Sequence, residues 1–444
     1  MKGHYTLLLN AITLNYRAFG KFKMIFTGLI CVFLSPLQAQ RVEIPLWHSL
    51  AGHSGSEMQA LIRDFNHSQT DYVIKPVYKG GYIESLTSFA AAFRAHQPPA
   101  LIQIFEVGTA TMLAPPGIIK PIDVLMREEG FSLPEESFFP AIRAYYSKHG
   151  RLMAMPFNTS VPVLFYNADA LAKVGYSAKN FPRTWAELEI LASKLKQAGF
   201  SCAYTSAYPA WIFIESFSAI HGLPLTDGVT GKASYNNEKI IHHLARLVRW
   251  QKLHYFEYGG RTDDATVLFT SGRCPLLSQS SGAFSSLSTI VPFKVEMAIL
   301  PIDNDASDHR FNNVSGGAAL WAVSGQTPEI YRGIARFFTY LADPAVQLHW
   351  HEQTGYLPLG TNGIYKELVN KSTQPSLKLA QIELVNNNDI APILCLGPQN
   401  QIRAINDEAL EAIFAGIKSP QKAMDDAVIR ANYVLQRFAR NTTS

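Results

Sequence analysis

The chain of 444 residues is 47% hydrophobic and only 17% charged, which supplies apolar side chains for two globular bodies and excludes extensive disorder. Its formal charge of +4 traces to Lys2, Arg17, Lys21 and Lys23, which share the first 40 residues with no acid. The remainder is neutral, so neither a nucleic acid nor an anionic membrane surface is expected as a partner.

Lys21 and Lys23 precede Met24, and an apolar run over 25–34 is followed by Ser35, Pro36 and the cleavage-like Leu37-Gln38-Ala39. This order predicts a secretory signal peptide over residues 1–39, because the run is too short to cross a bilayer. Translation can start at Met1 or at Met24. Cys31 lies within the run after the bulky Ile30, so a lipid anchor is not expected. The other cysteines, Cys202, Cys274 and Cys395, are too few and too scattered for a zinc motif or a disulfide framework. In an exported compartment one pair can bridge, with Cys202 and Cys274 the favoured partners.

Residues 42–47 (VEIPLW) have the composition of a first strand, and the glycine-broken AGHSGSE leads into a helix with Met58, Leu61, Ile62 and Phe65 on one face. A second strand over 72–78 ends in Lys79-Gly80-Gly81-Tyr82, and a helix over 84–96 is stopped by Pro98 and Pro99. A third strand over 100–105 is apolar enough to be buried on both faces and ends at Glu106. The alternation predicts an α/β body with a parallel sheet and right-handed crossovers. Such sheets bind ligands beyond the carboxyl ends of their strands, which puts Trp47, Tyr82 and Glu106 near one rim.

The run PFNTSVPVLFYN, residues 156–167, turns from polar to apolar within a dozen positions. Pro162 has no N–H for a ladder, which predicts an edge strand or a crossing between two bodies instead of a central strand. Asn167 offers an N-cap oxygen to a helix over 168–174 that Gly175 can end. Thr184 and Glu187 form a capping box for a helix closed at Gly199. Strands over 201–205, 274–278, 294–300 and 318–323 then alternate with helices over 211–221, 238–253, 264–271 and 328–341. Asp343-Pro344 starts a further helix, 354–358 is a turn, and the last third ends in amphipathic helices over 402–414 and 421–440. No repeat and no flexible linker interrupts this order, so ordered crossings are expected to join the two bodies.

No motif here builds an enzyme. Asp227 to Lys232 imitates a phosphate-binding loop, but Thr226 stands at the first glycine and Ala233 replaces the metal-binding hydroxyl. Gly52-His53-Ser54-Gly55 lacks the spacing of a nucleophile elbow. His242 and His243 are adjacent on a helix and point to different faces, and Asp263-Asp264 and Glu135-Glu136 read as helix-start acids. No catalytic residue, metal or cofactor is therefore expected. What remains is polar groups on loops at strand ends. Glu106 can be a binding acid or a turn acid, and Ser160, Ser280 and Gly317 sit among small residues that admit an anion or make ordinary turns. Arg403 lies in the first turn of its predicted helix, where a cation opposes the macrodipole; it needs an anionic partner, from a ligand or from Asp407 at i+4. Tyr356 and Trp211 could equally be packing.

In chain order, IPLWHS (44–49), YKGGY (78–82), FEVGTATM (105–112), PFNTSVPVLFYN, QSSG (279–282), GGAALW (316–321), WHEQTGYLP (350–358) and QIRAINDEAL (401–410) resemble the glycerol-3-phosphate-binding branch of the extracellular solute-binding proteins of ABC importers, the maltose-binding kind. The resemblance spans the whole chain after the leader. It implies a two-lobed periplasmic-binding-protein fold of class II, each lobe a mostly parallel sheet flanked by helices and joined by hinge crossings. Lobe 1 would hold 40–158 and about 318–355, and lobe 2 about 159–317 and 356–444. It implies a monomer in the periplasm that binds sn-glycerol-3-phosphate, catalyses nothing, and serves membrane permease subunits. Carried over by residue, the ligand contacts are Tyr82, Glu106, Ser160, Ser280, Gly317, Tyr356 and Arg403. Trp211 matches one of two pocket aromatics; the other, usually tryptophan, is Tyr208. A phosphate suits Arg403, Ser160, Ser280, Tyr356 and the Gly317 N–H, while glycerol hydroxyls suit Glu106, Tyr82 and Trp211. Tyr208 is a weaker cation-π partner than tryptophan, which counts against a quaternary-ammonium ligand such as glycerophosphocholine. The alternatives are a sugar or oligosaccharide binder on the same fold, an exported phosphodiesterase, and an adhesin.

Overall fold

Ten of the strands sort into two five-stranded sheets in the computed structural model of the protein, which describes residues 40–133, 137–360 and 397–442. The expected leader, the acids Glu135 and Glu136, and Cys395 lie outside the described residues. From Arg41 onward the described residues form one compact unit, and no helix among them is long and apolar enough to cross a membrane.

The first sheet is built on β1 (Val42–His48), β2 (Tyr72–Tyr78) and β3 (Leu101–Phe105). These run parallel because the helices Gly52–Ser68 and Tyr82–Arg94 carry the chain back between them. Every residue of β3 is buried, as its largely apolar character predicts, and so is the one polar side chain in it, Gln103. A small hairpin of β4 (Ser147–Lys148) and β5 (Arg151–Leu152) precedes β6 (Met155–Pro156). The chain then enters the second sheet through β7 (Pro162–Asn167), β8 (Tyr204–Ser206), β9 (Phe256–Glu257), β10 (Leu276–Ser280) and β11 (Val295–Ala298). It returns to the first sheet as β12 (Ala318–Ala322). The orders are β2-β1-β3-β12-β6 and β11-β7-β10-β8-β9. Each sheet is parallel over three strands and turns antiparallel where β12 and β7 insert.

The edge-strand alternative fails at Pro162. β7 lies between β11 and β10, so it is an interior strand and not an edge. Proline is tolerated because it is the first residue of β7, opposite Ser280, and β11 pairs only from Leu164 onward, so no N–H is required there. The passage from sheet to sheet occupies residues 157–161, between β6 and β7.

Local helix signals are realised closely. Asn167 caps the helix Ala168–Lys173 through the N–H of Ala170, and Thr184 and Glu187 close a capping box on Trp185–Gln197. Other boundaries move. The helix expected from 402 begins at Gln399, which puts Arg403 in its second turn. The helix expected over 211–221 opens as a wide π turn, Trp211–Ser216, before becoming α-helical at Phe217–Ile220. β9 and the helix Phe284–Ile290 were not expected.

The helices Gln399–Phe414 and Pro420–Thr442 pack their apolar stripes, among them Ile402, Leu410, Met424 and Ala431, on the core beneath β7, β8 and β10 with Leu164, Tyr204 and Leu276. Cys202 and Cys274 form a disulfide across a sequence separation of 72. A loop of that length is worth about 4 kcal/mol in the chain-entropy account.

Candidate functional site

The crossing itself places the first groups. Ser160 pairs with Gly316 in both directions, its N–H donating at 3.1 Å and its carbonyl accepting at 2.7 Å. Gly317 has φ +92°, and a Cβ there would lie 1.9 Å from the carbonyl oxygen of Asn158. Only glycine fits this contact. The Gly317 carbonyl accepts from the N–H of Glu106 at 2.9 Å, and the Thr159 carbonyl accepts from Leu357 at 2.7 Å. The N–H of Ser281 donates to Val161 at 2.9 Å. Five separated pieces of chain therefore meet at 158–161.

On one side of this knot lies a neutral hydrogen-bond network. Asn158 is fully buried; its Oδ1 accepts from Gln103 Nε2 at 2.8 Å, and its Nδ2 donates to the Tyr82 phenol at 3.0 Å. The Tyr82 ring stacks on Phe105 at 5.2 Å. Burial holds the Tyr356 phenol above its ordinary pKa, against the opposing hydrogen bonds of Asn158 and Ser54. Burial and the neighbouring Tyr356 do the same to Tyr82, so both phenols stay protonated. Tyr356 stacks on Trp350 at 5.9 Å and lies so close over Gly282 that a Cβ there would be 2.4 Å from the ring. Ser280 accepts the Gly282 N–H at 3.3 Å.

The other side is ionic. Arg403 donates from Nε to Glu215 Oε1 at 2.9 Å, from Nη2 to Glu215 Oε2 at 2.6 Å, and from Nη1 to Glu106 Oε1 at 2.7 Å. Gln399 Nε2 donates to Glu215 Oε1 at 3.1 Å. The side chains of Glu106 and Glu215 are only 7% and 6% exposed, so both need this cation. Burial raises the Glu106 pKa and Arg403 pulls it back down. Burial opposes the charge on Arg403, yet Glu215 and Glu106 together hold its pKa above the ordinary value. Asp407 is pushed up to about 7 by burial, with Arg403 opposing. The expected Arg403–Asp407 alternative is thus not how the guanidinium is paired: its donors go to two acids remote in sequence.

Trp211 flanks the knot, its ring 2.4 Å from where a Gly316 Cβ would be. Its Nε1 is buried with no hydrogen-bond partner. Tyr208 stands edge-on to it at 6.4 Å and takes φ +46°, an uncommon conformation for a non-glycine residue that concentrates at ligand sites.

The nine residues singled out from sequence, Tyr82, Glu106, Ser160, Tyr208, Trp211, Ser280, Gly317, Tyr356 and Arg403, thus lie in one connected cluster where the two sheets meet. Sequence reasoning passed over Asn158, Glu215, Gln399, Gln103 and Ser54. A signal existed for two of these: Glu215 is the only acid in the apolar WIFIESFSAI, and Gln103 is the only polar residue in LIQIF. His242 is exposed and His243 buried, in keeping with different faces. Cys202, Cys274 and Glu257 bring their donor atoms together, but the two sulfurs are joined in the disulfide.

Residues 60–370 match the family described as bacterial extracellular solute-binding protein. The chain belongs to that family. The solute-binding protein is 39% identical over 414 residues to the sn-glycerol-3-phosphate-binding periplasmic protein UgpB of Escherichia coli strain K12, covering 90% of this chain and 94% of that one. Among solved structures it is similar to UgpB from Mycobacterium tuberculosis in complex with glycerophosphocholine, with a TM-score of 0.75, 20% identity, and coverage of 90% and 99%. It is also similar to the cyclic alpha-maltosyl-1,6-maltose binding protein from Arthrobacter globiformis, with a TM-score of 0.71, 20% identity, and coverage of 90% and 100%. At that identity these two structures speak for the fold, which is the two-lobed α/β architecture of the maltose-binding kind.

Proposed function

We propose that this solute-binding protein is the periplasmic capture component of an ABC importer, taking sn-glycerol-3-phosphate and handing it to membrane permease subunits. Glycerophosphodiesters such as glycerophosphocholine are the second ligand class, with Tyr208 in place of a tryptophan weakening the grip on a quaternary ammonium. In this reading lobe 1 comprises 40–158 and about 318–355, and lobe 2 about 159–317 and 356–444. The leader is removed on export, and the monomer performs no chemistry on its ligand.

The observation that carries the reading is Arg403, a half-buried cation at the junction of the sheets with Ser160, Ser280, Tyr356 and the glycine pair Gly316-Gly317 in the same cluster. A phosphate ester asks for a forked cation, hydroxyl donors and backbone N–H groups reachable past glycine. Tyr82, Glu106 and Trp211 offer the acceptor and the flat wall that glycerol hydroxyls and carbons need. The name of the 39%-identical relative supports the same ligand.

The maltosyl-maltose binder among the structural neighbours favours a sugar as the second reading. Titration calorimetry with sn-glycerol-3-phosphate, glycerophosphocholine and maltose separates them. Saturable binding of the first is expected, with a thermal stabilisation of about 3 kcal/mol at a hundredfold excess over Kd. Tight maltose binding with no heat from either phosphate would overturn the proposal.

A further inference from the structure

Glu215 occupies one whole edge of the Arg403 fork, Nε and Nη2, and Gln399 fixes the carboxylate from behind. The turn Trp211–Ser216 and the helix Gln399–Phe414 pack on the same core, so this pair is set by one group of elements. Glu106 reaches Nη1 from the end of β3, in the other sheet. The two acids therefore stand in different relations to the same cation: one is tied to it within a core, the other meets it across the junction.

Resting on the phosphate reading above, we propose that Glu215 is a positioning and specificity-determining residue, which aims Nη1 of Arg403 at the junction and lowers the site's preference for a doubly charged phosphate relative to a singly charged one. A free guanidinium would present two parallel N–H groups and a full positive charge. Here one edge is taken and the charge already answered. Asp407 faces the same guanidinium from its own helix, Tyr235 faces Glu215, and the other nearby guanidinium, Arg261, is itself bonded to Glu411. Two carboxylates thus share one cation with a third carboxyl group close by, and each further negative charge on a ligand is repelled in proportion. Replacing Glu215 by a neutral residue relieves a dianion of about twice what it relieves a monoanion of. The affinity ratio between the two reads charge separately from positioning.

The experiment measures Kd by calorimetry at pH 8 for sn-glycerol-3-phosphate, a dianion, and for its methyl phosphodiester, a monoanion. Proteins are the wild type, Glu215→Gln and Glu215→Asp, each checked by thermal melting. Glu215→Gln is expected to shift the ratio toward the dianion roughly tenfold, the scale of a unit charge near contact in a partly screened site. Glu215→Asp keeps the charge but falls short of the fork, so both ligands should weaken while the ratio holds. An unchanged ratio in Glu215→Gln overturns the specificity role, and wild-type affinity in Glu215→Asp overturns the positioning role. Binding heats of the wild type in two buffers of different ionisation enthalpy need no variant: Asp407 can take up a proton with either ligand, so proton uptake at pH 7 is expected to be larger with the monoester than with the diester, and equal uptake overturns the preference for single charge. A wild type that binds neither ligand would instead refute the phosphate reading itself.

Discussion

Asn158 and Arg403 both gather partners from distant parts of the chain at the junction of the two sheets, and they do so with opposite chemistry. Around Asn158 the groups are neutral, mutually hydrogen-bonded and held by stacked rings on Phe105 and Trp350. Around Arg403 they are charged; buried polar atoms without a partner occur on both sides, Thr159 Oγ1 and Trp350 Nε1 beside the neutral network and Gln399 Oε1, Asp407 Oδ1 and Trp211 Nε1 beside the ionic one. The difference that remains is charge: a neutral hydrogen-bonded network rigidifies a wall, whereas a cluster of buried charges responds to each charge brought near it. In the proposed reading a phosphate ester lies between the two, meeting Arg403 from the ionic side and Ser280 and Tyr356 from the neutral one.

The largest test of that contrast is Arg403→Ala. It removes the cation and leaves Glu106 and Glu215 buried without one, so phosphate affinity should fall by about 4 kcal/mol or more, roughly a thousandfold. Near wild-type calorimetric affinity for sn-glycerol-3-phosphate would sink the assignment of the ionic side. Gly317→Ala attacks the knot that joins the two sides. With φ +92° and the Asn158 carbonyl in the space of its Cβ, the crossing must move. A loss of about 2–4 kcal/mol in urea unfolding is expected, and an unchanged midpoint would mean the crossing is not pinned there.

On the neutral side, Asn158→Ala strands Gln103 and the Tyr82 phenol and should cost about 1–3 kcal/mol of stability. If that side carries no charge, the loss should be the same at low and high salt; a loss that shrinks with salt would blur the distinction between the sides. A last test concerns Asp407, whose folded pKa of about 7 lies above its ordinary 3.8. The folded state then keeps a proton that the unfolded chain releases. This contribution to stability is complete below about pH 4 and fades as pH rises to about 7. Asp407→Asn should flatten that part of the stability profile; a slope equal to wild type would show that the carboxyl is not held protonated.

Much of the fold was legible because its signals are local. The capping box at Thr184 and Glu187, the N-cap at Asn167 and the fully buried β3 depend on neighbours within a turn or a strand, and each appears where expected. Pro162 misled because its effect depends on which neighbours flank the strand and how far they reach, and β11 stops short of it. The wide turn at Trp211 was equally hidden, since nothing in WIFIESFSAI distinguishes a π turn from an α-helical one.

The candidate site divides in the same way. The residue types suited to a phosphate ester, and the resemblance that links them, could be read along the chain. Their assembly could not: Arg403 meets Glu106 across 297 positions and Glu215 across 188. Sequence by itself determined most of the elements, because periodicity and caps act at short range, and its resemblance to a family linked nine residues of the cluster without Asn158, Glu215, Gln399, Gln103 or Ser54. Only the tertiary structure decided which acid holds the arginine, because burying a charge forces a partner without saying from which part of the chain it must come.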